Sequence, residues 1–250
     1  MSFGQYKPAF ERDGFVVVRE FLPPDEFAGL TSNLDRYIRE VVPTLEDAHA
    51  FYVEKGKPET LKQMQHMGID PFFRDYARHP RWLALAEALL GEPAEGQEPE
   101  WFNKPPGTSH PTPPHQDNYY FNLQPANVLT IWVALDPVDD DNGCLHYVRG
   151  SHLRGIRPHG ASRVVGFSQG ITDFGPEDEA LEARIHLQPR DAVAHWGNTI
   201  HRAQPNRTRD RQRRAFAMVL RGVSCRRDEA GYARYLAALK MQHEALGLKS

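Results

Sequence analysis

The residues with the clearest chemical meaning are the triplet His115-Gln116-Asp117 and two later side chains, His201 and Arg213. Side chains alternate in direction along a β-strand, so residues two positions apart face the same side. His115 and Asp117 are therefore predicted to bind one metal ion from a single strand. A third ligand from another strand would complete the two-His-one-carboxylate face that is typical of non-haem Fe(II) sites. The competing interpretation is that both residues lie on the surface, after the Pro-rich loop that precedes them.

The composition of the chain narrows the classes of protein to which it can belong. Its 250 residues are 40% hydrophobic and 25% charged, with a formal net charge of -3, as in one globular domain with a substantial interior. The negative charge argues against a nucleic-acid-binding protein. Two cysteines, Cys144 and Cys225, without a C-x-x-C pair favour a reducing cytoplasm. No apolar run approaches the ~20 residues of a membrane helix, so we expect no membrane contact.

Both ends of the chain carry helical patterns. Apolar residues repeat at helical spacing in residues 1–98, which are predicted to form a helix-rich lead-in. The predicted helices are Asp25–Val42 and His79–Leu90, and Gly14–Val18 is a short β-rich run. Residues 228–247 return to the helical pattern and are predicted to form a C-terminal helix.

Between these parts, from about residue 99 to 224, short β-like segments alternate with turns rich in Pro, Gly, Asn and Asp. The predicted strands are Glu100–Asn103, Pro114–Phe121, Val128–Leu135, Cys144–Val148, Ala183–Leu187, Ala192–Trp196 and Arg213–Val223. Their regular spacing predicts an all-β core with helical decoration, built as a sandwich or a barrel. The cupin-like jelly roll, or double-stranded β-helix, is the kind of sandwich that has a pocket between two sheets. Residues 1–250 are predicted to form a single domain.

About half of the chain, from Asn103 onward, carries a series of short motifs in a recognisable order. The motifs are Asn103-Lys104-Pro105-Pro106, His115-Gln116-Asp117 with Tyr120-Phe121, Trp132, Asn142-Gly143-Cys144-Leu145, Gly150-Ser151-His152, His201 with Asn206 and Thr208, and Arg213-Arg214-Ala215. In order and in spacing, the series resembles the phytanoyl-CoA dioxygenase family of Fe(II)/2-oxoglutarate oxygenases. The resemblance implies a jelly-roll core, bound Fe(II), 2-oxoglutarate as cosubstrate, dioxygen, and a small-molecule or acyl-CoA-like substrate that is hydroxylated at a C–H bond.

The resemblance also implies that His115, Asp117 and His201 bind the iron. His195, on the predicted strand Ala192–Trp196, is the rival of His201. His201 follows that strand and leads into Gln204-Pro205-Asn206, as the second histidine ligand of the family does. We therefore predict that His195 is a hydrogen-bonded histidine of the interior.

The far carboxylate of 2-oxoglutarate requires a cation, and a planar guanidinium meets a carboxylate through two hydrogen bonds. Alternation separates Arg213 from Arg214. Arg213 shares its face with smaller residues that leave room for a bound molecule, namely Ala215, Ala217 and Val219. Arg214 shares its face with residues that fit packing against helices, namely Phe216, Met218 and Leu220. The family alignment also selects Arg213, and Arg211 is the alternative because the preceding turn carries an extra residue.

Two further residues are predicted to contact the cosubstrate. Trp132 lies on the mixed face of its strand with Thr130 and Ala134, and the family uses this position beside 2-oxoglutarate. Gln63 falls at a polar contact position of the family, within the helical lead-in. The alternative for Trp132 is an ordinary core tryptophan, and the alternative for Gln63 is a solvated helix residue.

The residues after His201 depart from the family pattern. Ala203 stands where a small hydroxyl residue is common, which predicts the loss of one hydrogen bond near the cosubstrate. Arg202 replaces a common glycine and faces either the substrate or solvent. It belongs to a basic cluster that would suit an anionic substrate or would simply be solvated: Arg202, Arg207, Arg209, Arg211, Arg213 and Arg214.

Two other functions fit the same fold. A cupin-like hydrolase or isomerase with another divalent ion would not need Arg213 at the end of the pocket. A non-catalytic ligand-binding jelly roll would tend to lose one ligand, and all three remain in this chain. The carboxylate of Asp117 favours oxygenation over halogenation, because related halogenases leave this position to chloride. The sequence makes no prediction of the oligomeric state.

Overall fold

A larger and a smaller antiparallel sheet face each other across a cavity in the computed structural model, which describes residues 2–45, 49–54, 56–108, 110–162 and 169–245. This is the jelly-roll architecture that the sequence predicted. The strands are β1 (Phe15–Val18), β2 (Ala50–Tyr52), β3 (Leu61–Met64), β4 (Ala94–Gly96), β5 (Glu100–Asn103), β6 (Thr112–His115), β7 (Leu123–Gln124), β8 (Val128–Ala134), β9 (Leu145–Val148), β10 (His159–Ala161), β11 (Gln169–Ile171), β12 (Glu182–Ile185), β13 (Ala192–Trp196), β14 (His201–Ala203), β15 (Arg214–Gly222) and β16 (Arg226–Arg227).

The larger sheet has the order β1-β13-β8-β15-β5-β3-β2, with β4 also paired to β15. The smaller sheet has the order β12-β9-β14-β6. Two further pairs, β10 with β11 and β16 with β7, lie outside these sheets. The helices are α1 (Lys7–Asp13), α2 (Pro24–Arg36), α3 (Pro71–Tyr76), α4 (Pro80–Leu90), α5 (Asp117–Phe121), α6 (Pro176–Glu179) and α7 (Glu229–Ala245).

One face of the larger sheet is apolar and packs against the helices of the lead-in. In β8, Leu129, Ile131 and Val133 are fully buried on this face. In β15, Phe216 packs edge-to-face against Trp82 of α4, with 5.7 Å between the ring centroids. The alternation of β8 and β15 therefore turns their other face toward the smaller sheet, as the sequence predicted.

Helix α4 is bounded by signals that are present in the sequence. The ring of His79 accepts a hydrogen bond from the N–H of Arg81 at 3.3 Å, and Pro80 occupies the first position, where no N–H is required. Gly91 ends the helix with a φ of +78°, which glycine adopts without strain. The predicted helix His79–Leu90 is confirmed.

The predicted strand Pro114–Phe121 is wrong beyond His115. Strand β6 ends at His115, and Asp117 begins the short helix α5. Asn118 closes this turn because its side chain donates to the carbonyl of Leu123 and accepts from the N–H of that residue, at 3.2 and 3.0 Å. His115 and Asp117 therefore reach the cavity from a strand end and a helix start.

The lead-in contributes four strands to the larger sheet, β1 to β4, of which the sequence predicted only β1. Strands β2 and β3 pair with each other at the edge, and β3 also pairs with β5. They are only three and four residues long, too short for a clear alternating pattern. The other predicted strands are present within two residues at each end.

The predicted helix Asp25–Val42 is present as α2 followed by a π-helical turn at Tyr37–Val41. At the C-terminus, α7 covers residues 229–245 of the predicted 228–247, and residues 246 and 247 lie outside the described part. Among the described residues, the helices are all too short or too polar to cross a bilayer.

Replacing Phe216 with alanine is expected to lower the free energy of unfolding by about 3–5 kcal/mol, because a fully buried ring is lost from the core. Urea unfolding followed by tryptophan fluorescence measures this change. Val223→Ala is the control, since Val223 is 44% exposed, and should change the free energy by less than about 0.5 kcal/mol. If Phe216→Ala were as mild as the control, the assignment of this face to the core would be wrong.

Candidate metal centre

Three side chains converge where the smaller sheet meets α5. His115 ends β6 and His201 begins β14, and the two residues are direct partners in the antiparallel pairing. Their Nε2 atoms each lie 3.6 Å from Oδ1 of Asp117. The structure thus brings together the three residues that the sequence singled out as metal ligands, and one donor atom from each lies within 4.8 Å of the others.

Backbone carbonyls orient both imidazole rings. Nδ1 of His115 lies 2.8 Å from the carbonyl oxygen of Pro113, and Nδ1 of His201 lies 3.0 Å from that of Thr199. A carbonyl oxygen can only accept, so each Nδ1 carries the proton and a neutral ring presents its lone pair at Nε2. This is the arrangement in which histidine ligands of protein metal sites are held.

The two carboxylate oxygens of Asp117 have different surroundings. Oδ1 faces the two histidines of the smaller sheet. Oδ2 accepts hydrogen bonds from Oγ1 of Thr130 at 2.7 Å and from Nε2 of His195 at 3.0 Å, both on the larger sheet. One oxygen is therefore available to an ion, and the other is held in place by the protein.

His195 is a buried histidine with a hydrogen bond on each ring nitrogen, as the sequence predicted. Its Nε2 donates to Asp117, so its Nδ1 accepts from the hydroxyl of Tyr147 at 3.0 Å. The ring of Tyr147 stacks on His201, with 5.4 Å between centroids. His195 and Tyr147 thus support one candidate ligand each.

The electrostatics of the group suit a cation. Burial opposes the charge on Asp117, yet the imidazoles of His201, His195 and His115 outweigh it and lower the pKa of the carboxyl below its usual range. Burial lowers the pKa of His115 and lowers that of His201 well below its usual value. An ionised carboxylate beside neutral imidazoles is the protonation state that binds a divalent metal.

A cavity of about 460 Å³ opens beside this group and is lined by both sheets. Arg213 and Trp132 form part of its wall, and the guanidinium lies 5.4 Å from the centroid of the Trp132 ring. Arg213 is only 5% exposed, and its Nε has no hydrogen-bond partner within the described residues. Burial lowers its pKa to about 10, so it still carries its charge at neutral pH. A buried cation of this kind requires an anion.

The other arginines of the basic cluster do not line the cavity. Arg211, the alternative to Arg213, pairs with Asp139 at 2.6 Å, and Arg214 pairs with Asp136 at 2.7 Å. Arg202 pairs with Glu182 at 2.6 Å on the outer side of the smaller sheet. The structure therefore gives no support to an anionic substrate bound by the whole cluster.

Gln63 lines the cavity but lies on β3, so the prediction of a helical position was wrong. It is 7% exposed and donates to Oε2 of Glu100 at 3.4 Å. Ala203 also lines the cavity, as its departure from the family pattern implied. No hydroxyl is available at that position.

Aromatic rings border the candidate metal site. Because α5 replaces the predicted strand, Tyr120 contacts His115, with 6.0 Å between ring centroids, and lines the cavity with Phe121. Tyr119 turns away and stacks on His159 at 3.9 Å. Tyr235 of α7 lies against both tyrosines and reaches the cavity.

Sequence reasoning missed several groups of the site. Thr130 shares the mixed face of β8 with Trp132, so alternation offered a signal for it. Tyr147 and Glu100 offered none, because their roles depend on which strands face each other. Lys104 belongs to a recognised motif, and the structure buries it at the cavity wall, where its Nζ donates to the carbonyl of His110 at 3.1 Å.

Comparison with known proteins gives a consistent picture. The family model described as "Phytanoyl-CoA dioxygenase (PhyH)" matches residues 10–215. The peroxisomal phytanoyl-CoA dioxygenase of Mus musculus is 26% identical over 215 residues, which are 80% of this chain and 62% of the mouse protein. The chain therefore spans less than two thirds of the length of that relative.

Solved structures agree with the fold. EvdO2 from Micromonospora carbonacea var. aurantiaca, complexed with 2-oxoglutarate, has a TM-score of 0.70 and is 27% identical, with 90% of this chain and 92% of EvdO2 covered. The epimerase SnoN, in complex with Fe3+, alpha ketoglutarate and nogalamycin RO, has a TM-score of 0.72 and is 24% identical, with 93% of this chain and 88% of SnoN covered.

Thr130→Val is expected to weaken Mn(II) binding about 10- to 100-fold, because the Asp117 carboxylate loses one of the two hydrogen bonds on Oδ2. Isothermal titration calorimetry measures the affinity. Thr172→Val is the control, since Thr172 is exposed and its hydroxyl only contacts the carbonyl of Pro158. Equal affinity in both variants would show that the Thr130 hydrogen bond does not hold a ligand.

Proposed function

Since the chain belongs to the phytanoyl-CoA dioxygenase family of Fe(II)- and 2-oxoglutarate-dependent oxygenases, we propose that it hydroxylates a C–H bond of a small molecule or acyl-CoA-like substrate. Decarboxylation of 2-oxoglutarate to succinate accompanies the reaction. The observation that carries the proposal is the buried guanidinium of Arg213, whose Nε has no hydrogen-bond partner among the described residues, in the cavity that also contains His115, Asp117 and His201. A dicarboxylate that chelates a metal at one end needs both features.

In this proposal each predicted residue has one task. His115, Asp117 and His201 hold the iron on one side through Nε2, Oδ1 and Nε2. Arg213 binds the far carboxylate of 2-oxoglutarate through its guanidinium fork, because two parallel hydrogen bonds fix a carboxylate in orientation as well as position. Trp132 and Gln63 complete the cosubstrate site, the first with its ring face and the second with its amide.

Bound iron, together with 2-oxoglutarate and dioxygen, would supply the oxidising chemistry at this site. The side chains of the protein position the reacting groups and shield them. Thr130 and His195 keep Oδ2 of Asp117 engaged, so that Oδ1 stays directed at the ion. Tyr120 and Phe121 line the cavity with aromatic surface.

The rival functions are less well supported. A hydrolase or isomerase of the cupin type has no use for a buried guanidinium at the end of the pocket. A silent binding module has no need for two histidines with Nε2 directed at one carboxylate oxygen. Hydroxylation stands as the simplest outcome, although the similar structure SnoN is described as an epimerase.

The remaining parts of the proposal concern organisation and setting. We propose that residues 1–250 act as one oxygenase domain, because the lead-in contributes β1, β2 and β3 to the larger sheet. Dioxygen and a small molecule are the proposed partners, and no nucleic acid or membrane takes part. The cytoplasm is the compartment that two cysteines favour.

Arg213→Gln is expected to weaken 2-oxoglutarate binding at least about tenfold, because hydrogen bonds to a charged group contribute about 1.5–3 kcal/mol. Calorimetric titration of 2-oxoglutarate into the Mn(II)-loaded protein measures the change. Arg211→Gln is the matched control, since Arg211 pairs with Asp139 away from the cavity. Both variants should bind Mn(II) as the wild type does. If only Arg211→Gln weakened 2-oxoglutarate binding, Arg211 and not Arg213 would bind the far carboxylate.

A further inference from the structure

The cavity contains a carboxyl group that neither the metal nor the cosubstrate uses. Glu100 lies on β5 and lines the cavity. Its Cα partner on β15 is Ala217, and the partner of Ala217 on β8 is Trp132. Direct partners on adjacent strands share a face, so Glu100, Ala217 and Trp132 form one row across the floor of the cavity. The alanine in the middle leaves open space beside the carboxyl.

The Glu100 carboxyl has no cation of its own. Across the described residues its side chain has one hydrogen-bond partner, Nε2 of Gln63 at 3.4 Å, and no ion pair. Arg213 directly precedes β15 and lies four positions from Ala217, about 13 Å along the backbone at the usual rise of a strand. Lys62 and Lys104 also line the cavity, and Lys104 donates to the carbonyl of His110.

Burial affects the carboxyl strongly. Loss of contact with bulk water raises the pKa of Glu100 to about 7, helped by the negative charge of Asp117 and opposed by the hydrogen bond from Gln63. In such surroundings the ionised carboxylate is stabilised when a cation binds beside it, because the attraction between the two charges offsets the loss of hydration. Glu100 and Asp117 line the same cavity.

Aromatic rings complete the environment. Tyr120, Phe121 and Tyr235 line the same cavity. Phe121 and Val219 pack against the same small apolar cluster, and Val219 shares a face of β15 with Ala217, the partner of Glu100. Aromatic faces attract ammonium and guanidinium groups, and a carboxylate adds directed hydrogen bonds. Aromatic rings beside a carboxyl that has no ion pair among the described residues form a site that suits an organic cation.

We propose that Glu100 binds a protonated amine or guanidinium of the substrate and thereby places the neighbouring C–H bond at the metal. The proposal rests on the oxygenase function proposed above and names the substrate class of that site. Gln63 positions the Glu100 carboxyl through its amide N–H. The cosubstrate anion pairs with Arg213, and the substrate cation pairs with Glu100.

A structural role for Glu100 is the competing explanation. A carboxyl that served only to hold Gln63 would be replaced without loss by glutamine, which can make the same contact. A role in stability would also call for a shorter bond than 3.4 Å and for less contact with the open cavity. The test therefore compares ligands, and side chains at position 100, that are similar in shape and differ in charge.

The experiment measures binding of three probes of one shape, benzylamine, benzyl alcohol and benzoate, to the protein loaded with Mn(II) and 2-oxoglutarate. Thermal shift and calorimetry are the readouts, for wild type, Glu100→Gln and Glu100→Lys. Wild type should bind benzylamine at least about tenfold more tightly than benzyl alcohol. Glu100→Gln should abolish that preference, and Glu100→Lys should transfer it to benzoate.

Glu98→Gln is the matched control, because Glu98 is exposed and contacts His66 outside the cavity. It should keep the wild-type preference for benzylamine. If wild type binds no amine more tightly than the alcohol, or if Glu100→Gln keeps the preference, the assignment is wrong. Failure of wild type to bind Mn(II) and 2-oxoglutarate would instead contradict the oxygenase function, so the two failures are distinguishable.

Discussion

The buried carboxylate of Asp117 is the interaction on which the rest of the site depends, because it joins the two sheets. Its Oδ1 faces His115 and His201 on the smaller sheet, and its Oδ2 accepts hydrogen bonds from Thr130 and His195 on the larger one. A buried charge is tolerated only when its surroundings satisfy it. The spacing of the sheets, the ring tautomers and the metal-binding face are therefore coupled through one side chain.

Two charged groups of the cavity have no ion pair among the described residues. Arg213 is a buried cation whose Nε lacks a hydrogen-bond partner there, and Glu100 is a carboxyl with one hydrogen bond, from Gln63. Both line the cavity that also contains the metal-binding group. The two groups call for ligands of opposite sign, as a dicarboxylate and an organic cation would be. The small side chain of Ala217 keeps the floor between them open.

Much of this arrangement could be predicted from the sequence, and the exceptions have physical causes. Alternation in β8 and β15 correctly placed Trp132 and Arg213 on the cavity side, because long, fully paired strands keep a period of two. It failed after His115, where the side chain of Asn118 closes a helical turn that no apolar pattern signals. It also missed β3, whose four residues are too few to show a period, and so placed Gln63 on a helix.

In the proposed site, His115, Asp117 and His201 bind a metal that in turn binds 2-oxoglutarate. The most direct test is the melting temperature with Mn(II), with and without 2-oxoglutarate, for wild type and Asp117→Ala. A ligand at a hundredfold excess over its Kd stabilises the native state by about 2.7 kcal/mol, which is readily seen as a shift. We predict that 2-oxoglutarate stabilises wild type only when Mn(II) is present and never stabilises Asp117→Ala. If 2-oxoglutarate stabilised wild type without metal, or stabilised Asp117→Ala, the assignment of these three residues would be wrong.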